Sequence, residues 1–277
     1  MSIDYSKIAP LRNFARQTGL VWLLSLPSHW KRSQRKFEYE RTKPTVAIVG
    51  FDNLSVQMRT ENLYEWMRAQ SFHDDQHIIS AAMRQLRPGD NCWDIGASIG
   101  LYSALFGKAV GVGGQVVSFE PENRSREKLL ANIALNELKN IRVFPVALGR
   151  EKGQFDLELA TAASAGTHRL VTSGHSEKKE NVQQVEVWSG DEFRAANQLS
   201  VPNMIKVDVE GQEENVLLGL KDTLADLACK AVVCEVHFSI LAANGDDGAP
   251  KRIMELLKSC GFKQQNWIDA SHLAAYK

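Results

Sequence analysis

Acidic and glycine residues near the middle of the chain have the spacing of a cofactor-binding turn. The segment CWDIGASIGLYS, residues 92–103, places Asp94 just before Gly96, and Gly100 follows four positions later. Glycines let the backbone approach a ligand closely, and a following helix start offers unpaired N–H groups to a carboxylate or phosphate. Glu120 lies 20 residues after Gly100. A carboxylate there can accept hydrogen bonds from both hydroxyls of a ribose, which indicates a nucleoside cofactor.

The residues of the turn also distinguish between nucleoside cofactors. Dinucleotide-binding turns have the pattern G-x-G-x-x-G, but this turn reads DIGASIG and lacks the middle glycine. An acidic residue at Asp94 repels a pyrophosphate and favours a cationic ligand. S-adenosylmethionine carries an ammonium, a carboxylate and a sulfonium beside its ribose. The turn and Glu120 therefore predict S-adenosylmethionine as the cofactor.

The same turn also fits the G-x-S-x-G pattern of a hydrolase nucleophile. Ser98, Asp208 and His237 follow one another in the chain order of an α/β-hydrolase triad. An esterase therefore remains an alternative, although no HGGG-like oxyanion segment precedes the turn and Asp94 and Glu120 would have no role. A catalytically inactive cofactor-binding module is the second alternative.

Alternating β-rich and helical segments must position these residues. From residue 91 the strand-like runs NCWDI, QVVSFE, IRVFPVAL, NMIKVDV and AVVCEVH alternate with helical stretches, and GFKQQNWIDASHLAAYK ends the chain as a hairpin. This rhythm predicts an α/β fold with a mostly parallel central sheet and a C-terminal antiparallel hairpin. Residues 1–80 have helical character and are predicted to form an N-terminal cap or lid, with the catalytic domain at residues 81–277.

The polar residues that could do chemistry fall at the ends of the predicted strands. They are Asp94 on the first strand, Glu120 on the second, Asp208 and Glu210 on the fourth, and Glu235 and His237 on the fifth. Ligands bind beyond the carboxyl ends of parallel strands, so these side chains should share one site. A polar excursion at residues 160–184 interrupts the rhythm and is predicted to be a loop that covers a site.

Five segments of the chain resemble the FkbM-type methyltransferases. The segments are RPGDNCWDIGASIGLYS, VVSFEPENRSREKLLANIALNEL, VFPVALG, NMIKVDVEGQEENVLLGL and VVCEVHF, which span residues 87–238 in the order of that family. The resemblance implies a Rossmann-like class I methyltransferase fold and S-adenosylmethionine-dependent O-methylation of a sugar, a glycan or a secondary metabolite. Ser98 stands where the family usually has asparagine, and since both side chains form hydrogen bonds, cofactor binding should survive.

The resemblance also implies roles at the cofactor. The methionine end would be held by Asp94, Gly96, Ser98 and Gly100, the ribose by Glu120, and the adenine would border Ala147 and Leu148. Asp208 would line the same site.

At the reaction centre, the resemblance implies Asp208 and Glu210, with Glu235 and His237 on the adjacent strand end. Methylation of a hydroxyl requires removal of a proton, and a histidine or a carboxylate can act as the general base. Asp208 and His237 remain alternatives for that base. No metal ligand is assigned, and a divalent cation on Asp208, Glu210 and Glu235 that binds a diol acceptor is an alternative that is not favoured.

Composition limits the partners. The 33 basic and 33 acidic residues cancel, so a small-molecule or glycan acceptor is expected rather than a nucleic acid. Four cysteines without a CxxC pair favour a reducing, cytoplasmic location. The apolar run at residues 19–27 is too short to span a membrane, and weak peripheral membrane contact through residues 20–43 is an alternative to simple packing. Packing roles are expected for Trp66, Trp188 and Trp267, and the oligomeric state is not predicted.

Overall fold

The computed structural model describes residues 33–71, 76–159, 169–171 and 181–277. Most of the predicted excursion and residues 1–32 lie outside these ranges. The strands are β1 (Val46–Phe51), β2 (Leu54–Arg59), β3 (Asn91–Ile95), β4 (Gln115–Phe119), β5 (Ile141–Phe144), β6 (Ala147–Gly149), β7 (Gly153–Glu158), β8 (Arg169–Val171), β9 (Val182–Ser189), β10 (Met204–Val207), β11 (Ala231–Glu235), β12 (Gln264–Trp267) and β13 (His272–Tyr276). The helices are α1 (Leu63–Ser71), α2 (Gln76–Met83), α3 (Leu101–Val110), α4 (Asn123–Leu135), α5 (Gly190–Ala196), α6 (Glu213–Leu218), α7 (Lys221–Ala225), α8 (Phe238–Ala243) and α9 (Ala249–Ser259). Residues 33–42 are also helical.

A seven-stranded sheet organises the catalytic part of the chain. Its strand order is β12-β13-β11-β10-β3-β4-β5. Pairing is parallel from β11 to β5 and antiparallel at β11·β13 and β12·β13. The mostly parallel sheet and the C-terminal antiparallel hairpin are therefore confirmed.

The central strands are buried on both faces, as expected for parallel strands covered by helices. All four residues of β10 are buried, and Trp93, Phe119 and Ile205 are among the largest fully buried side chains. The chain runs from β3 through β4 to β5 on one side and returns through β10 and β11 on the other. Strand order thus reverses at β3 and β10, where α/β sheets open a ligand-binding crevice.

Two predicted elements are divided in the structure. The segment IRVFPVAL forms β5 in the central sheet and β6 in a separate four-stranded sheet of order β6-β9-β7-β8. Pro145 separates the two strands and has no N–H to donate to a ladder. The helix predicted through EENVLLGLKDTLADLA breaks into α6 and α7 at Gly219, where a Cβ atom would lie 1.9 Å from the backbone oxygen of Gly149.

The N-terminal region contains the predicted helices α1 and α2 and also an antiparallel hairpin, β1 and β2, that the sequence analysis did not predict. Alternate residues of both strands are buried, and Asp52 has the positive φ of 50° that the tight turn requires. Asn132 of α4 and Asn136, which directly follows this helix, accept hydrogen bonds from the β2 backbone. The hairpin therefore packs on the catalytic part of the chain.

The length and hydropathy of the helices bear on membrane contact. No helix within the described ranges is long and apolar enough to cross a membrane. Residues 20–32 of the predicted peripheral segment lie outside the described residues, so that contact stays a prediction.

Candidate active site

A cleft opens at the carboxyl ends of β3, β4 and β10. The space within it, including the part that is open to solvent, is about 750 Å³. Its lining residues come from the glycine turn, the end of β4, the second sheet and the segment after β10: Ile95, Gly96, Ser98, Phe119, Glu120, Pro121, Val146, Ala147, Leu148, Leu157, Asp208, Val209 and Glu210.

The glycine turn connects β3 to α3 in a conformation that its residues dictate. Gly96 and Gly100 have φ angles of 80° and 87°, in the left-handed region that glycine adopts without steric cost. A Cβ atom on Gly96 would lie 1.9 Å from the backbone oxygen of Asp208. Ser98 also has a positive φ, 50°. The turn therefore packs directly against the end of β10 and leaves no room for a larger residue at Gly96.

Glu120 is held at the end of β4 by two backbone donors. Its Oε2 accepts a hydrogen bond from the N–H of Ser98 at 2.7 Å, and its Oε1 accepts one from the N–H of Glu122 at 2.9 Å. Burial raises the pKa of Glu120 to about 7, although these two hydrogen bonds oppose the shift. Each oxygen keeps a lone pair for a ligand hydroxyl. This geometry fits the predicted ribose contact.

Asp94 lies beneath the turn and does not line the cleft. Its side chain is fully buried, and its Oδ2 accepts a hydrogen bond from Ser103 Oγ at 2.6 Å. Its Oδ1 lies 3.2 Å from Nζ of Lys206. The predicted contact of Asp94 with the methionine end stays a prediction, since in the structure this carboxylate contacts protein groups.

Lys206 joins the turn to the reaction centre. Its Nζ donates a hydrogen bond to the backbone oxygen of Gly96 at 3.0 Å and lies 3.4 Å from Oδ2 of Asp208. Burial alone would lower the pKa of Lys206, but the charges of Asp94 and Asp208 outweigh it and hold that pKa above its usual range. The ammonium group therefore remains charged and fixes three strand-end groups relative to one another.

The four-stranded sheet that contains β6 supplies an apolar wall of the cleft. Ala147 and Leu148 of β6 line the cleft together with Val146 and Leu157, and all four residues are buried. An apolar wall of this kind fits a flat base such as adenine, consistent with the predicted position of that group.

The four predicted catalytic residues meet around one imidazole. Nε2 of His237 lies 3.2 Å from Glu210, 3.8 Å from Asp208 and 3.9 Å from Glu235, measured to the nearest carboxylate oxygens. The segment that begins just after β10 thus faces the end of β11, as parallel neighbours must. The structure thus brings these four side chains together, and their catalytic roles stay a prediction.

Sequence analysis missed the residue that orients this imidazole. Glu213, the first residue of α6, is fully buried, and its Oε1 lies 2.6 Å from Nδ1 of His237. An ionised carboxylate only accepts hydrogen bonds, so Nδ1 donates its hydrogen to Glu213. The other ring nitrogen, Nε2, faces the carboxylates of Asp208, Glu210 and Glu235. Burial lowers the pKa of His237, but the hydrogen bond to Glu213 and the charges of Glu213, Glu210 and Asp208 outweigh it and raise that pKa to about 9. In the sequence, Glu213 looks like an ordinary helix-start carboxylate.

The same residues contain one possible set of metal ligands. Ligand atoms of Asp208, Glu235 and His237 lie within 4.8 Å of one another. Two of the three also belong to the cation alternative that the sequence raised with Asp208, Glu210 and Glu235. Carboxylate and imidazole ligands suit ions such as Mn²⁺ or Zn²⁺.

An aromatic pair lies beside this cluster at the edge of the sheet. Phe238 and Trp267 are 41% and 38% exposed, and their ring centroids are 5.3 Å apart. Trp66, which contacts Tyr39, is buried at 4% exposure, as its expected packing role requires. Trp188 likewise contacts Phe193. Trp267 differs from the packing expectation because more than a third of it remains open to solvent.

Comparison with known proteins places this site in a family. Residues 94–263 match the methyltransferase FkbM domain, which covers more than half of the chain. The chain belongs to the FkbM methyltransferase family. It is an S-adenosylmethionine-dependent methyltransferase, as the sequence predicted. The comparisons give no support to the esterase or to the inactive module.

A curated relative is similar over most of both chains. The hexuronic acid methyltransferase AglP of Haloferax volcanii is 25% identical over 199 residues, which cover 71% of this chain and 76% of the relative. Solved structures are more distant. Aeropyrum pernix fibrillarin bound to S-adenosyl-L-methionine is 14% identical, with a TM-score of 0.41 and coverage of 72% of this chain and 73% of that one. An O-methyltransferase from Bacillus cereus in complex with SAH is 12% identical, with a TM-score of 0.44 and coverage of 74% and 81%. Likenesses this distant add nothing to the family match.

Proposed function

We propose that this methyltransferase transfers a methyl group to a hydroxyl of a hexuronic acid unit in a glycan. The observation that carries the proposal is the imidazole of His237, anchored by buried Glu213 and directed at the strand-end carboxylates beside the cofactor cleft. A positioned base of this kind is what methylation of a hydroxyl requires. The Haloferax volcanii relative is a hexuronic acid methyltransferase, which supports this class of acceptor.

The residues of the cleft fit S-adenosylmethionine. When bound, this cofactor supplies a methyl group on a sulfonium that is already reactive, so the protein must align the acceptor and exclude water. Glu120 would hold the ribose through its remaining lone pairs. Asp94 would act indirectly, because it forms an ion pair with Lys206, and Lys206 also forms an ion pair with Asp208. The methionine end is assigned to Gly96, Ser98 and Gly100, and the adenine to Ala147 and Leu148.

His237 is the general base in this proposal. Its Nε2 takes the proton of the acceptor hydroxyl, and Glu213 stabilises the resulting imidazolium through Nδ1. Asp208 is the other candidate that the sequence raised, but its carboxylate is engaged in an ion pair with the ammonium of Lys206, at 3.4 Å. Asp208, Glu210 and Glu235 instead accept hydrogen bonds from the other hydroxyls of the sugar.

Methyl transfer in vitro tests the proposal. The purified protein is incubated with isotopically labelled S-adenosylmethionine and a panel of hexuronic acid glycosides, neutral glycosides and phenols, and product is detected by mass spectrometry. We expect label only in the hexuronic acid products, with His237→Asn inactive and still able to bind S-adenosylhomocysteine. Activity that survives EDTA agrees with His237 as base. Loss of activity in EDTA with rescue by Mn²⁺ would instead assign Asp208, Glu235 and His237 to a metal.

A further inference from the structure

Phe238 and Trp267 form an exposed aromatic surface that the mechanism above does not use. Their rings are tilted at 47° to each other and are among the exposed large hydrophobic side chains of the described residues. Keeping aromatic area in water forgoes the free energy of burying it, about 25 cal/mol per Å². Aromatic side chains left open beside a polar site are therefore typical of ligand-binding surfaces.

A continuous run of contacts connects this pair to the reaction centre. Phe238 directly follows His237 in the chain, and Glu235 lies 3.9 Å from His237 and 3.3 Å from His272. The next residue after Trp267, Ile268, donates its backbone N–H to the oxygen of His272 at 2.8 Å. Contacts therefore connect His237, at the carboxyl end of β11, through Glu235 and His272 to the residue that follows Trp267.

The separation along this edge matches more than one ligand unit. Trp267 is on β12, and β12 is two strands from β11. Since adjacent strands lie about 4.8 Å apart, the backbone of Trp267 is about 10 Å along the edge from the backbone of β11, and its ring reaches the ring of Phe238. A single sugar ring positioned for methylation at His237 does not extend that far. A second ring joined to the first does.

The chemistry around the pair suits a sugar ring. A pyranose has an apolar C–H face, which packs on an aromatic ring, and hydroxyls around its rim. The rim would meet Glu235, His272 and Asp269, whose side chains are 29%, 15% and 28% exposed. Carboxylate and imidazole groups can accept or donate to sugar hydroxyls. The combination of an aromatic face and partly exposed polar groups favours a carbohydrate over an apolar metabolite.

We propose that Phe238 and Trp267 are a platform for a second sugar unit, next to the unit that is methylated. The acceptor is then at least a disaccharide rather than a free monosaccharide. This inference rests on the proposed glycan acceptor, and it goes further by fixing the minimum length of that acceptor.

Kinetics with acceptors of different length test the platform. The probes are a methyl hexuronoside and the disaccharide and tetrasaccharide of the same hexuronic acid, and the measured quantity is the ratio of kcat/KM for disaccharide to monosaccharide. For the unaltered protein we expect a ratio of about ten or more, equal to about 1.4 kcal/mol of preferential binding. Trp267→Ala should bring the ratio close to one, and Trp267→Phe should keep most of it.

A matched control separates the platform from general effects of losing an exposed apolar side chain. Leu227 is 86% exposed and lies in the segment that enters the amino end of β11, at the opposite edge of the sheet. Leu227→Ala should retain the full ratio, and the ratio itself cancels any general loss of activity. Phe238→Ala provides a second test if Trp267→Ala folds poorly.

The outcomes distinguish the platform from the function on which it rests. A ratio near one in the unaltered protein, or a high ratio that persists in both alanine variants, overturns the platform and leaves hexuronic acid methylation standing. Failure to methylate acceptors of any length, with S-adenosylhomocysteine still bound, overturns the hexuronic acid acceptor and the platform together.

Discussion

The two ends of the active-site cleft are built from different parts of the chain. At the cofactor end, backbone groups dominate, because the N–H of Ser98 and the N–H of Glu122 hold Glu120 and two glycines set the path of the turn. At the acceptor end, side chains dominate, because four carboxylates surround the imidazole of His237. The cofactor end should therefore respond to changes of backbone shape, and the acceptor end to changes of charge.

The largest effect is expected from Gly96→Ala. The added methyl group would lie 1.9 Å from the Asp208 backbone oxygen, and the φ of 80° disfavours any residue with a Cβ. We expect the dissociation constant of S-adenosylhomocysteine, measured by calorimetry, to rise at least about 100-fold, or about 2.7 kcal/mol. Gly113→Ala is the control, since its Cβ would have only an ordinary contact at 3.8 Å. Unchanged binding in Gly96→Ala would show that the turn is not rigid.

Glu213→Gln tests the acceptor end alone. The amide removes the negative charge that stabilises the imidazolium of His237 and keeps the shape of the side chain. At a pH above about 9, where His237 is deprotonated in both proteins, we expect kcat to fall about 100-fold, the lower range for loss of general base catalysis, with no change in S-adenosylhomocysteine affinity. The rising part of the pH profile should also move to lower pH, because the carboxylate no longer raises the pKa of His237.

Glu214→Gln is the matched control for that variant. Glu214 is the next residue in α6, but it pairs with Arg252, at 2.6 Å, rather than with His237. Its kcat and pH profile should match those of the unaltered protein. A Glu213→Gln variant that loses cofactor affinity, or one that keeps its pH profile, would contradict the division of the site into two ends.

The two ends should also titrate separately. His237 must lose its proton to act as a base, so kcat at saturating substrate should rise about tenfold per pH unit until the pH approaches about 9. Glu120 must be ionised to accept two ribose hydroxyls, so S-adenosylhomocysteine affinity should fall as the pH drops below about 7. Calorimetry and steady-state kinetics across pH 5.5 to 9.5 measure both curves, in the range set by these two pKa values. A single shared transition would show that the ends are coupled.

The smallest effect is expected from Ser98→Ala. The N–H of Ser98 rather than its hydroxyl contacts Glu120, so the alanine variant should bind S-adenosylhomocysteine within about threefold of the unaltered protein, or about 0.7 kcal/mol. Ser98→Asn should bind at least as well, because asparagine tolerates the positive φ of 50° at this position. Loss of nearly all methyl transfer in Ser98→Ala without loss of binding would show instead that the Ser98 hydroxyl takes part in the transfer step.

The cofactor end was predictable from sequence because its requirements are local. The turn needs glycine at Gly96 and Gly100, where the backbone is left-handed. Glu120 follows at a fixed separation at the end of the next strand, so one segment and one spacing are enough to predict the turn and this carboxylate. Asp94 is the exception. Sequence spacing places it at the turn, but only the structure shows that Ser103 and Lys206 occupy its oxygens.

The acceptor end was predicted only in part because it depends on tertiary contacts. Period-two spacing on neighbouring strands was sufficient to bring Asp208, Glu210, Glu235 and His237 together. The partner of His237 on its other side comes from a helix, and no local pattern indicates which acidic residue of EGQEEN turns inward. The exposure of Trp267 was also hidden, since it depends on the position of β12 at the edge of the sheet.

The second sheet gives the chain a place where its substrate range can evolve. Glu158 at the end of β7 and Val182 at the start of β9 are paired neighbours, so the 23 residues between them leave and rejoin the four-stranded sheet at the same point. A segment with adjacent ends can lengthen, shorten or be exchanged at little entropic cost to the rest of the fold. Relatives could thus diversify residues 159–181 while keeping the glycine turn, Glu120 and Leu157 unchanged, which would separate the history of acceptor choice from that of the chemistry.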